Sequence, residues 1–304
     1  MRFNKLDLNL LVALDAMLTE RSVIRAATRL NLSPSATSNA LARLRDYFED
    51  ELLVQVGRKM ELTPRAEGLL DAVRDVLVRV DSAIAIPPQF VPSESERVFR
   101  IFVSDYAQAI FVRHVLALAH EQRSTVGFDF LPQEFNPQRA LERGEVDLLI
   151  IPKNFNSPDH PEEVLYQEEF VCVVSRDSYL AQGALTFDRY VGARHVEMRP
   201  SSTDGQSFES RLFTRHGVAR QIAVTTYSFS AMPALVVGTD LIATVHARLA
   251  RQAALTLPIV LLPPPMEIKA MEQAVQWHKY RTHDPGLVWL RGLLRQAVGR
   301  MEQG

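Results

Sequence analysis

The sequence has little cysteine, no long apolar run and no secretion signal. Cys172 is the only cysteine in 304 residues, which excludes an intramolecular disulfide and a thiolate-cluster metal site. No apolar run approaches the roughly 20 residues of a membrane helix, and the N-terminus lacks the apolar segment and cleavage site of a signal peptide. These absences predict a cytoplasmic protein that does not associate with membranes.

Common catalytic motifs are also missing. The chain has no GxSxG, P-loop or GxGxxG pattern, and these motifs mark nucleophile elbows and nucleotide sites. Its eight histidines form no HExxH or HxH pattern, and the segment from His278 to His283 is typical of a solvated loop rather than a metal site. We therefore expect no catalytic residues, no metal and no cofactor.

Acidic residues are absent from one stretch near the N-terminus. Between residues 21 and 45 there is no Asp or Glu, whereas five positions are arginine: Arg21, Arg25, Arg29, Arg43 and Arg45. The whole chain is nearly neutral, because 34 Lys+Arg face 36 Asp+Glu for a formal net charge of −2. Binding to a polyanion would therefore depend on this local cluster, presented in two copies, rather than on a globally basic protein.

The same stretch contains two short helical patterns joined at Asn31. Ser22 can cap the first helix, and Ser33 can cap the second, because a serine side chain accepts a hydrogen bond from a free N–H of the first turn. Pro34 follows at the first helical position, where its missing N–H costs nothing. Two capped helices this close together predict a helix-turn-helix.

The second of these helices has a polar face suited to DNA. Its apolar arc, spaced at helical periodicity, is formed by Ala36, Ala40, Leu41 and Leu44. Alone, such a helix would simply be solvated, but the paired helices and the missing acids favour insertion into a major groove. The candidate DNA-binding residues on this helix are Ser33, Ser35, Ser38, Asn39, Arg43 and Arg45.

Residues 50–63 predict a β-hairpin, or wing, after the helix-turn-helix. Two short strand patterns flank Gly57, and the turn carries Arg58 and Lys59. These two cations can contact phosphates or enter a minor groove. Without the neighbouring helix-turn-helix, the two cations would be interpreted as ordinary surface charges at an exposed hairpin turn.

A long helix and a proline-rich segment follow the wing. Thr63 and Pro64 begin a helical pattern that continues to about Ile84, with apolar residues spaced by three and four at Leu70, Val73, Leu77, Val80 and Ile84. This spacing predicts a helix–helix seam, and we expect it to lie against a second copy rather than its own domain. Residues 87–97, rich in proline and serine, are interpreted as a hinge.

Residues 98–304 alternate strand and helix patterns, which favours an α/β architecture with mostly parallel sheets. The predicted strands are 98–105, the end of 141–152, 165–178, 194–198, 220–227, 240–245 and 272–278. Cys172 lies in the apolar run FVCVV and is predicted to be a buried strand residue.

The segments LDLNLLVALDAMLTERSVIRAATRLNLSPSATSNALARLRDYFEDELLVQVGR and LTPRAEGL resemble the LysR-type transcriptional regulators. The resemblance covers the whole chain, is most specific over residues 6–70, and is greatest to the branch of nodulation and aromatic-degradation regulators. Two departures concern DNA contacts. The family's Ser-Gln-Pro-Ala is replaced by Ser33-Pro34-Ser35-Ala36, and its Phe-x-Arg by Leu53-Val54-Gln55, so the operator sequence does not carry over.

The resemblance implies the domain organisation. The expected fold is a mainly α winged helix-turn-helix (1–63), a linker and dimerisation helix (64–86), the hinge (87–97) and an α/β effector domain (98–304). The effector domain would resemble periplasmic binding proteins, with subdomain I at about 98–170 and 272–304 and subdomain II at about 171–271. The chain would cross between subdomains near 165–175 and 265–280.

An effector would bind in the cleft between subdomains, at the carboxyl ends of strands. Hydroxyl groups, aromatic rings and an arginine in predicted strand-end turns would suit a small anion or a phenolic compound. Taken singly, turn hydroxyls usually cap helices and an arginine usually forms a surface or interdomain ion pair. The candidates are Ser104, Tyr106, Ser201, Ser202, Thr203, Phe229, His246 and Arg248.

The function implied by the resemblance is control of a promoter in response to a small, aromatic effector. Its partners would be double-stranded DNA with a pseudo-palindromic operator, a second copy in a dimer or tetramer, and RNA polymerase. Activation and repression both stay open. The alternative is a small-molecule solute-binding protein, which the basic N-terminal helices and the missing signal peptide disfavour.

Overall fold

The computed structural model describes residues 6–85, 89–132, 136–199, 213 and 219–303. The chain forms two compact units, the first comprising residues up to 87 together with Glu142–Glu145 and the second comprising the rest. The described elements of the first unit are α1 (Leu8–Glu20), α2 (Val23–Leu30), α3 (Pro34–Phe48), β1 (Leu53–Val56), β2 (Lys59–Leu62) and α4 (Pro64–Val80). Strands β1 and β2 pair antiparallel, which confirms the predicted winged helix-turn-helix.

Side-chain caps begin the helices of the first unit. Asp7 accepts a hydrogen bond from the Leu10 amide at 2.8 Å, and Thr63 accepts one from the Ala66 amide at 3.1 Å. Each satisfies a first-turn N–H that has no partner inside the helix. Asp50 accepts the Thr63 hydroxyl proton at 2.6 Å and thereby connects the start of the wing to the start of α4.

The core of the first unit gathers apolar residues from α1, α3, the wing and α4. Leu70, Val73 and Leu77 of the predicted seam pack on this core. These three residues therefore contact α1 and the core of their own unit, while contact of the seam with a second copy stays a prediction. Beyond them, α4 continues as a π-helical segment, Asp81–Ala85, where Ile84 is 75% exposed.

The second unit contains two five-stranded sheets, with strand orders β4-β3-β5-β12-β6 and β11-β7-β10-β8-β9. Its strands are β3 (Val98–Val103), β4 (Gly127–Leu131), β5 (Leu148–Pro152), β6 (Glu162–Glu168), β7 (Phe170–Ser175), β8 (Arg194–Met198), β9 (Gln221–Thr226), β10 (Leu241–His246), β11 (Ile259–Leu262) and β12 (Met271–Trp277). The described helices are α5 (Asp105–Ala107), α6 (Arg113–Glu121), α7 (Pro137–Glu142), α8 (Phe187–Gly192), α9 (Met232–Leu235), α10 (Ala247–Ala254) and α11 (Pro285–Gln303). The predicted two-sheet α/β architecture is confirmed.

The sheets are mixed rather than mostly parallel. In the first sheet β3 runs parallel to β4 and β5, but β12 is antiparallel to both β5 and β6. In the second sheet β8 runs parallel to β9 and β10, but β7 is antiparallel to both β10 and β11. The antiparallel strands are β7 in the second sheet and β12 in the first. Each is the first strand that the chain forms after it crosses from the other sheet, and it enters the sheet from the end opposite to its parallel neighbours.

The predicted strand 165–178 is in fact the end of one strand and the whole of another. It breaks at Glu169, where β6 of the first sheet gives way to β7 of the second. Two strands escaped prediction, β4 and β11. Strand β4 carries Asp129 in its centre and is half-buried throughout, so its sequence lacks the apolar run typical of an interior strand.

Helices cover both faces of each sheet, which produces separate apolar clusters. Helices α6 and α11 pack on one face of the first sheet, and α7 lies on the other. Cys172 is fully buried in the second sheet, as predicted, and burial raises the pKa of its thiol to about 12.

The described part of the expected hinge is attached to the second unit. The Phe90 ring lies 5.4 Å from that of Trp289 and 6.0 Å from that of Phe99. Arg97 forms ion pairs with Asp284 at 2.8 Å and Asp147 at 3.2 Å. Residues 90–97 therefore belong structurally to the second unit.

The core of the first unit predicts a large difference between two leucines of α1. Leu14 is fully buried, whereas Leu8 is 47% exposed. We expect Leu14→Ala to lower the free energy of unfolding by about 3 kcal/mol through lost burial and a residual cavity, and Leu8→Ala by less than about 0.5 kcal/mol. Urea denaturation followed by circular dichroism measures both. Equal losses would contradict this description of the core.

Candidate functional site

The outward face of α3 is small, polar and exposed. Ser35, Ser38 and Asn39 are all exposed on it. Ser33 caps the helix by accepting a hydrogen bond from the Ala36 amide at 3.2 Å, and its hydroxyl lies 3.0 Å from that of Ser35. These short side chains leave room for the edges of base pairs.

The buried face of α3 differs from the predicted one in its first turn. Thr37 is fully buried there, while Ala36 is exposed. The Thr37 hydroxyl donates to the Ser33 carbonyl at 3.2 Å, so the polar atom is satisfied inside the unit. Leu41 and Leu44 are buried as predicted.

Helix α2 crosses beneath α3 through small residues. Ala26 and Ala27 are buried, and Ser22 caps the helix by accepting from the Arg25 amide at 3.3 Å. Asn31 ends it in the left-handed conformation, with φ of 53°, which asparagine tolerates better than most residues. The turn between the helices is thus determined locally, as predicted.

Acidic side chains of α1 neutralise two arginines of α2. Arg29 lies 3.1 Å from Asp15 and 3.7 Å from Glu20, and Arg25 lies 3.5 Å from Glu20. The absence of acids between residues 21 and 45 therefore overstates the positive potential of this surface.

The two arginines that flank the polar face of α3 have different environments. Arg43 is 59% exposed and pairs with Asp7 at 3.3 Å. Arg45 donates to the carbonyls of Glu51 and Leu53 at 2.8 and 2.9 Å, and so it holds the base of the wing against α3. Its role in positioning the wing was not predicted.

The wing presents its two cations at an exposed turn. Gly57 adopts a positive φ of 63°, which glycine accepts without strain. Arg58 and Lys59 follow it and are both exposed. The predicted placement of these cations is therefore found in the structure.

In the second unit, most of the predicted effector residues meet where the two sheets approach each other. The Tyr106 ring stacks on that of His246 with centroids 3.8 Å apart. Both residues are buried, at 1% and 2% exposure. In this structure His246 covers one face of the Tyr106 ring, and a contact between Tyr106 and a ligand stays a prediction.

Glu168 is the buried anion of this cluster and was missed by sequence analysis. Its carboxylate accepts hydrogen bonds from the Tyr106 hydroxyl at 2.5 Å and from the Arg248 backbone amide at 3.0 Å. The Arg248 guanidinium lies 2.8 Å from it and also donates to the Gln167 carbonyl at 2.6 Å. Arg248 therefore forms an ion pair between the two lobes instead of projecting freely into a cleft.

A second connection between the lobes involves Asp105, which was also missed. Its carboxylate accepts hydrogen bonds from the Ser228 hydroxyl at 2.7 Å and the Ser230 amide at 2.9 Å. Ser104 caps α5 by accepting from the Ala107 amide at 3.2 Å. Phe229 is half-buried and packs edge-on against His246 with centroids 4.8 Å apart.

Burial determines the protonation of these groups. It lowers the pKa of His246 to about 3, so the ring is neutral at pH 7. Burial also raises the pKa of Tyr106 far above its ordinary value, so its hydroxyl keeps its proton and donates to Glu168. The hydrogen bond to the Glu168 side chain and the attraction of that anion raise the pKa of Arg248 against the opposing effect of burial.

The remaining candidates, Ser201, Ser202 and Thr203, lie outside the described residues. Within the part of the chain that the structure describes, no group of three or more His, Cys, Asp or Glu side chains could hold a metal ion. Over the same residues, no helix is both long and apolar enough to span a membrane.

The sequence signals for the missed residues were weak. Glu168 lies in the polar run YQEEF. The alternation of polar and apolar residues there does not distinguish a buried carboxylate from a solvated one. Asp105 directly follows Ser104 at the carboxyl end of β3, so its position at a strand end was the available clue.

Two family descriptions match the chain. The description of the LysR substrate binding domain matches residues 92–299. That of the bacterial regulatory helix-turn-helix protein of the lysR family matches residues 8–67. Together they cover most of the chain, one in each unit.

Relatives match over nearly the full length. Nodulation protein D 1 of Mesorhizobium japonicum is 42% identical over 301 residues, covering 99% of this chain and 96% of the relative. Nodulation protein D 2 of Rhizobium leguminosarum bv. phaseoli is 40% identical over 301 residues, covering 99% and 95%.

Solved structures share the fold. A probable transcriptional regulator from Pseudomonas aeruginosa is 29% identical, with a TM-score of 0.66 over 97% of this chain and 98% of that one. Full-length OxyR from the same organism is 15% identical, with a TM-score of 0.74 over 96% and 94%, and this likeness concerns the fold alone. From these matches and from its two units, the chain belongs to the LysR family of transcriptional regulators, which bind DNA and small-molecule effectors and form oligomers.

Proposed function

We propose that this protein is a cytoplasmic regulator that binds a pseudo-palindromic operator through a two-fold pair of α3 helices and responds to a small aromatic effector. One observation carries the DNA-binding part of the proposal. The exposed polar face of α3, with Ser38 and Asn39, lies in the same unit as a wing turn that presents Arg58 and Lys59. Such a unit reads bases with the helix and contacts the backbone with the wing.

The proposed assembly is a dimer, extended to a tetramer by family resemblance, with α4 as the dimerisation helix. Val80 and Ile84 support this role because they continue the apolar spacing of the helix beyond the residues used by its own core, and Ile84 is exposed. RNA polymerase is the further partner that promoter control requires. The role is regulatory rather than catalytic.

We place the effector between the lobes of the second unit, in contact with Ser104, Phe229, Ser201, Ser202 and Thr203. Tyr106, His246 and Arg248 would then act by positioning the lobes, since they are engaged with one another and with Glu168. An effector that favours one arrangement of the lobes would change the spacing of the DNA-binding heads and the bending of the promoter. The aromatic effector is inferred from the resemblance to the branch of nodulation and aromatic-degradation regulators, and the similarity to nodulation proteins supports membership of that branch.

The DNA-binding proposal predicts distinct effects for a phosphate contact and a base contact. Arg43→Ala should weaken binding to all sequences and lower the slope of log K against log[salt] by about 1, because one fewer counterion is released. Asn39→Ala should weaken operator binding by about 1–3 kcal/mol and leave the salt slope unchanged. Fluorescence anisotropy with DNA from upstream of the protein's own gene, and with a scrambled duplex, measures both.

Arg194→Gln supplies the matched control for that titration. Arg194 is exposed at the start of β8. The variant therefore removes one positive charge from the second unit, outside the proposed DNA-binding residues, and should leave the salt slope unchanged. An unchanged salt slope for Arg43→Ala would show that Arg43 does not contact a phosphate. Equal binding of wild-type protein to both duplexes would contradict operator recognition.

The ion pair between the lobes predicts strong coupling between Arg248 and Glu168. Arg248→Ala should abolish the effector response and destabilise the second unit by about 2–4 kcal/mol, because the fully buried Glu168 carboxylate loses its counter-ion. The double variant Arg248→Ala/Glu168→Gln should recover much of that stability without recovering the response. Thermal unfolding and effector-dependent DNA binding test this. Additive losses of stability would show that the two residues are not coupled.

Burial of His246 predicts a loss of stability in acid. Because its pKa falls from 6.5 to about 3 on folding, the unfolded chain binds the extra proton between these values. The contribution of neutral, buried His246 to the free energy of unfolding is therefore fully present above pH 6.5 and is lost as the pH falls toward about 3. We expect the wild-type protein to lose about 1.4 kcal/mol more per pH unit in this window than His246→Phe. Chemical denaturation at several pH values measures the difference, with exposed His283→Gln as control; identical slopes for wild type and His246→Phe would contradict it.

A further inference from the structure

Arg45, in the last turn of α3, donates hydrogen bonds to the backbone of the wing. Its Nε donates to the Glu51 carbonyl at 2.8 Å, and one of its terminal nitrogens donates to the Leu53 carbonyl at 2.9 Å. That nitrogen also lies 3.1 Å from the Glu51 carboxylate, and the Arg45 side chain is 34% exposed. Because a guanidinium holds its N–H groups in a rigid fork, this one side chain fixes two wing carbonyls at once.

Asp50 holds the residues next to these carbonyls. Its carboxylate accepts hydrogen bonds from the Leu52 amide at 2.7 Å and from the Thr63 hydroxyl at 2.6 Å. The Thr63 amide in turn donates to the Leu52 carbonyl at 3.1 Å. Leu52 is fully buried and has a φ of 59°, a conformation that leucine seldom adopts. The direction in which the chain enters the wing therefore depends on side-chain bonds at its base, and Arg45 supplies those that come from α3.

The wing converts a small change at its base into a larger one at its turn. Strand β1 has four residues and spans about 10 Å at about 3.3 Å per residue. Gln55 donates to the Gly57 carbonyl at 3.1 Å, which fixes the turn itself. A tilt of about 20° at the base would move Arg58 and Lys59 by about 3–4 Å, which is more than the length of a charge-assisted hydrogen bond.

Arg45 is less suited than the wing cations to a phosphate contact of its own. Its guanidinium is paired with Glu51 and bonded to two carbonyls. Arg58 and Lys59, by contrast, are both exposed at the turn. The environment of Arg45 therefore favours an effect on DNA binding that is exerted through the position of these two cations.

We propose that Arg45 is a positioning residue, which determines the affinity for DNA by holding the wing against α3. The fork to the two carbonyls keeps Arg58 and Lys59 within reach of the phosphate backbone when α3 lies in the major groove. This inference rests on the proposed roles of α3 and the wing in DNA binding. It replaces the direct DNA contact that the sequence predicts for Arg45 with an indirect effect.

Salt titrations of the full chain, followed by fluorescence anisotropy with the upstream duplex and its scrambled counterpart, separate positioning from contact. Arg45→Met should weaken binding to both duplexes and lower the salt slope by about 2, because both wing contacts are lost. Arg45→Lys keeps the charge but cannot form the fork, so it should lower the slope similarly. A direct phosphate contact would instead give a decrease of about 1 for Arg45→Met and none for Arg45→Lys, and that result would overturn the inference.

A variant without the wing cations completes a thermodynamic cycle. Arg58→Gln/Lys59→Gln should lower the salt slope by about 2, and adding Arg45→Met to it should change the affinity no further, because Arg45 acts through these cations. A further loss in the triple variant would overturn the inference. A lowered slope in Arg58→Gln/Lys59→Gln but not in Arg45→Met would overturn it alone. An unchanged slope in both would also refute the proposed role of the wing.

The ratio of the affinities for the two duplexes distinguishes a displaced wing from a damaged unit. In Arg45→Met, α3 still reads the bases, so this ratio should stay within about twofold of the wild-type value. Loss of the ratio would show general damage to the unit and would overturn a positioning role. If wild-type protein binds both duplexes equally, operator recognition fails, and the salt slopes still decide the role of Arg45. Absence of wild-type binding to either duplex would overturn both proposals.

Discussion

The carboxylate of Glu168 is fully buried at the end of β6, where the chain leaves the first sheet. A buried charge is tolerated only when hydrogen-bond donors and a counter-ion surround it. Tyr106 supplies one donor from the first lobe, and Arg248 supplies a backbone amide and the counter-ion from the second. The arrangement of the two lobes is therefore linked to the solvation of one carboxylate, and a change that separates the lobes takes away its donors and its counter-ion.

Charge is distributed differently in the first unit, where acidic side chains pair with exposed arginines. Asp15 and Glu20 occupy the arginines of α2, and Arg45 is held at the base of the wing. Arg43 beside the polar face of α3, and Arg58 and Lys59 at the turn after Gly57, are exposed as well. Exposed cations of this kind can attract a polyanion.

Two buried polar clusters in the second unit differ in how well they are satisfied. Around Glu168, donors and acceptors match, which stabilises a specific packing of the lobes. Beside β12, the His160 ring nitrogens and the Asn156 side-chain oxygen are buried without hydrogen-bond partners among the described residues, although Gln276 fixes the surrounding backbone. Such buried, unpaired polar atoms lower stability.

The sequence by itself determined the features that depend on neighbours along the chain. The caps at Asp7, Ser22, Ser33 and Thr63, the wing turn at Gly57 and most strands follow from local hydrogen bonding and periodicity, and so did the family. Local patterns also fixed which residues of α3 face outward, except at the first turn, where Thr37 replaces Ala36.

Only the tertiary structure decided the features that depend on distant partners. The pairing of Arg248 with Glu168 and the burial of His278, which the sequence predicts to lie in a solvated loop, depend on residues far away in sequence. The strand order, including the reversed β7 and β12, is decided in the same way. The charge of a side chain and its place in a helical or strand pattern can be read from the local sequence. Its partner and its exposure depend on how the whole chain packs.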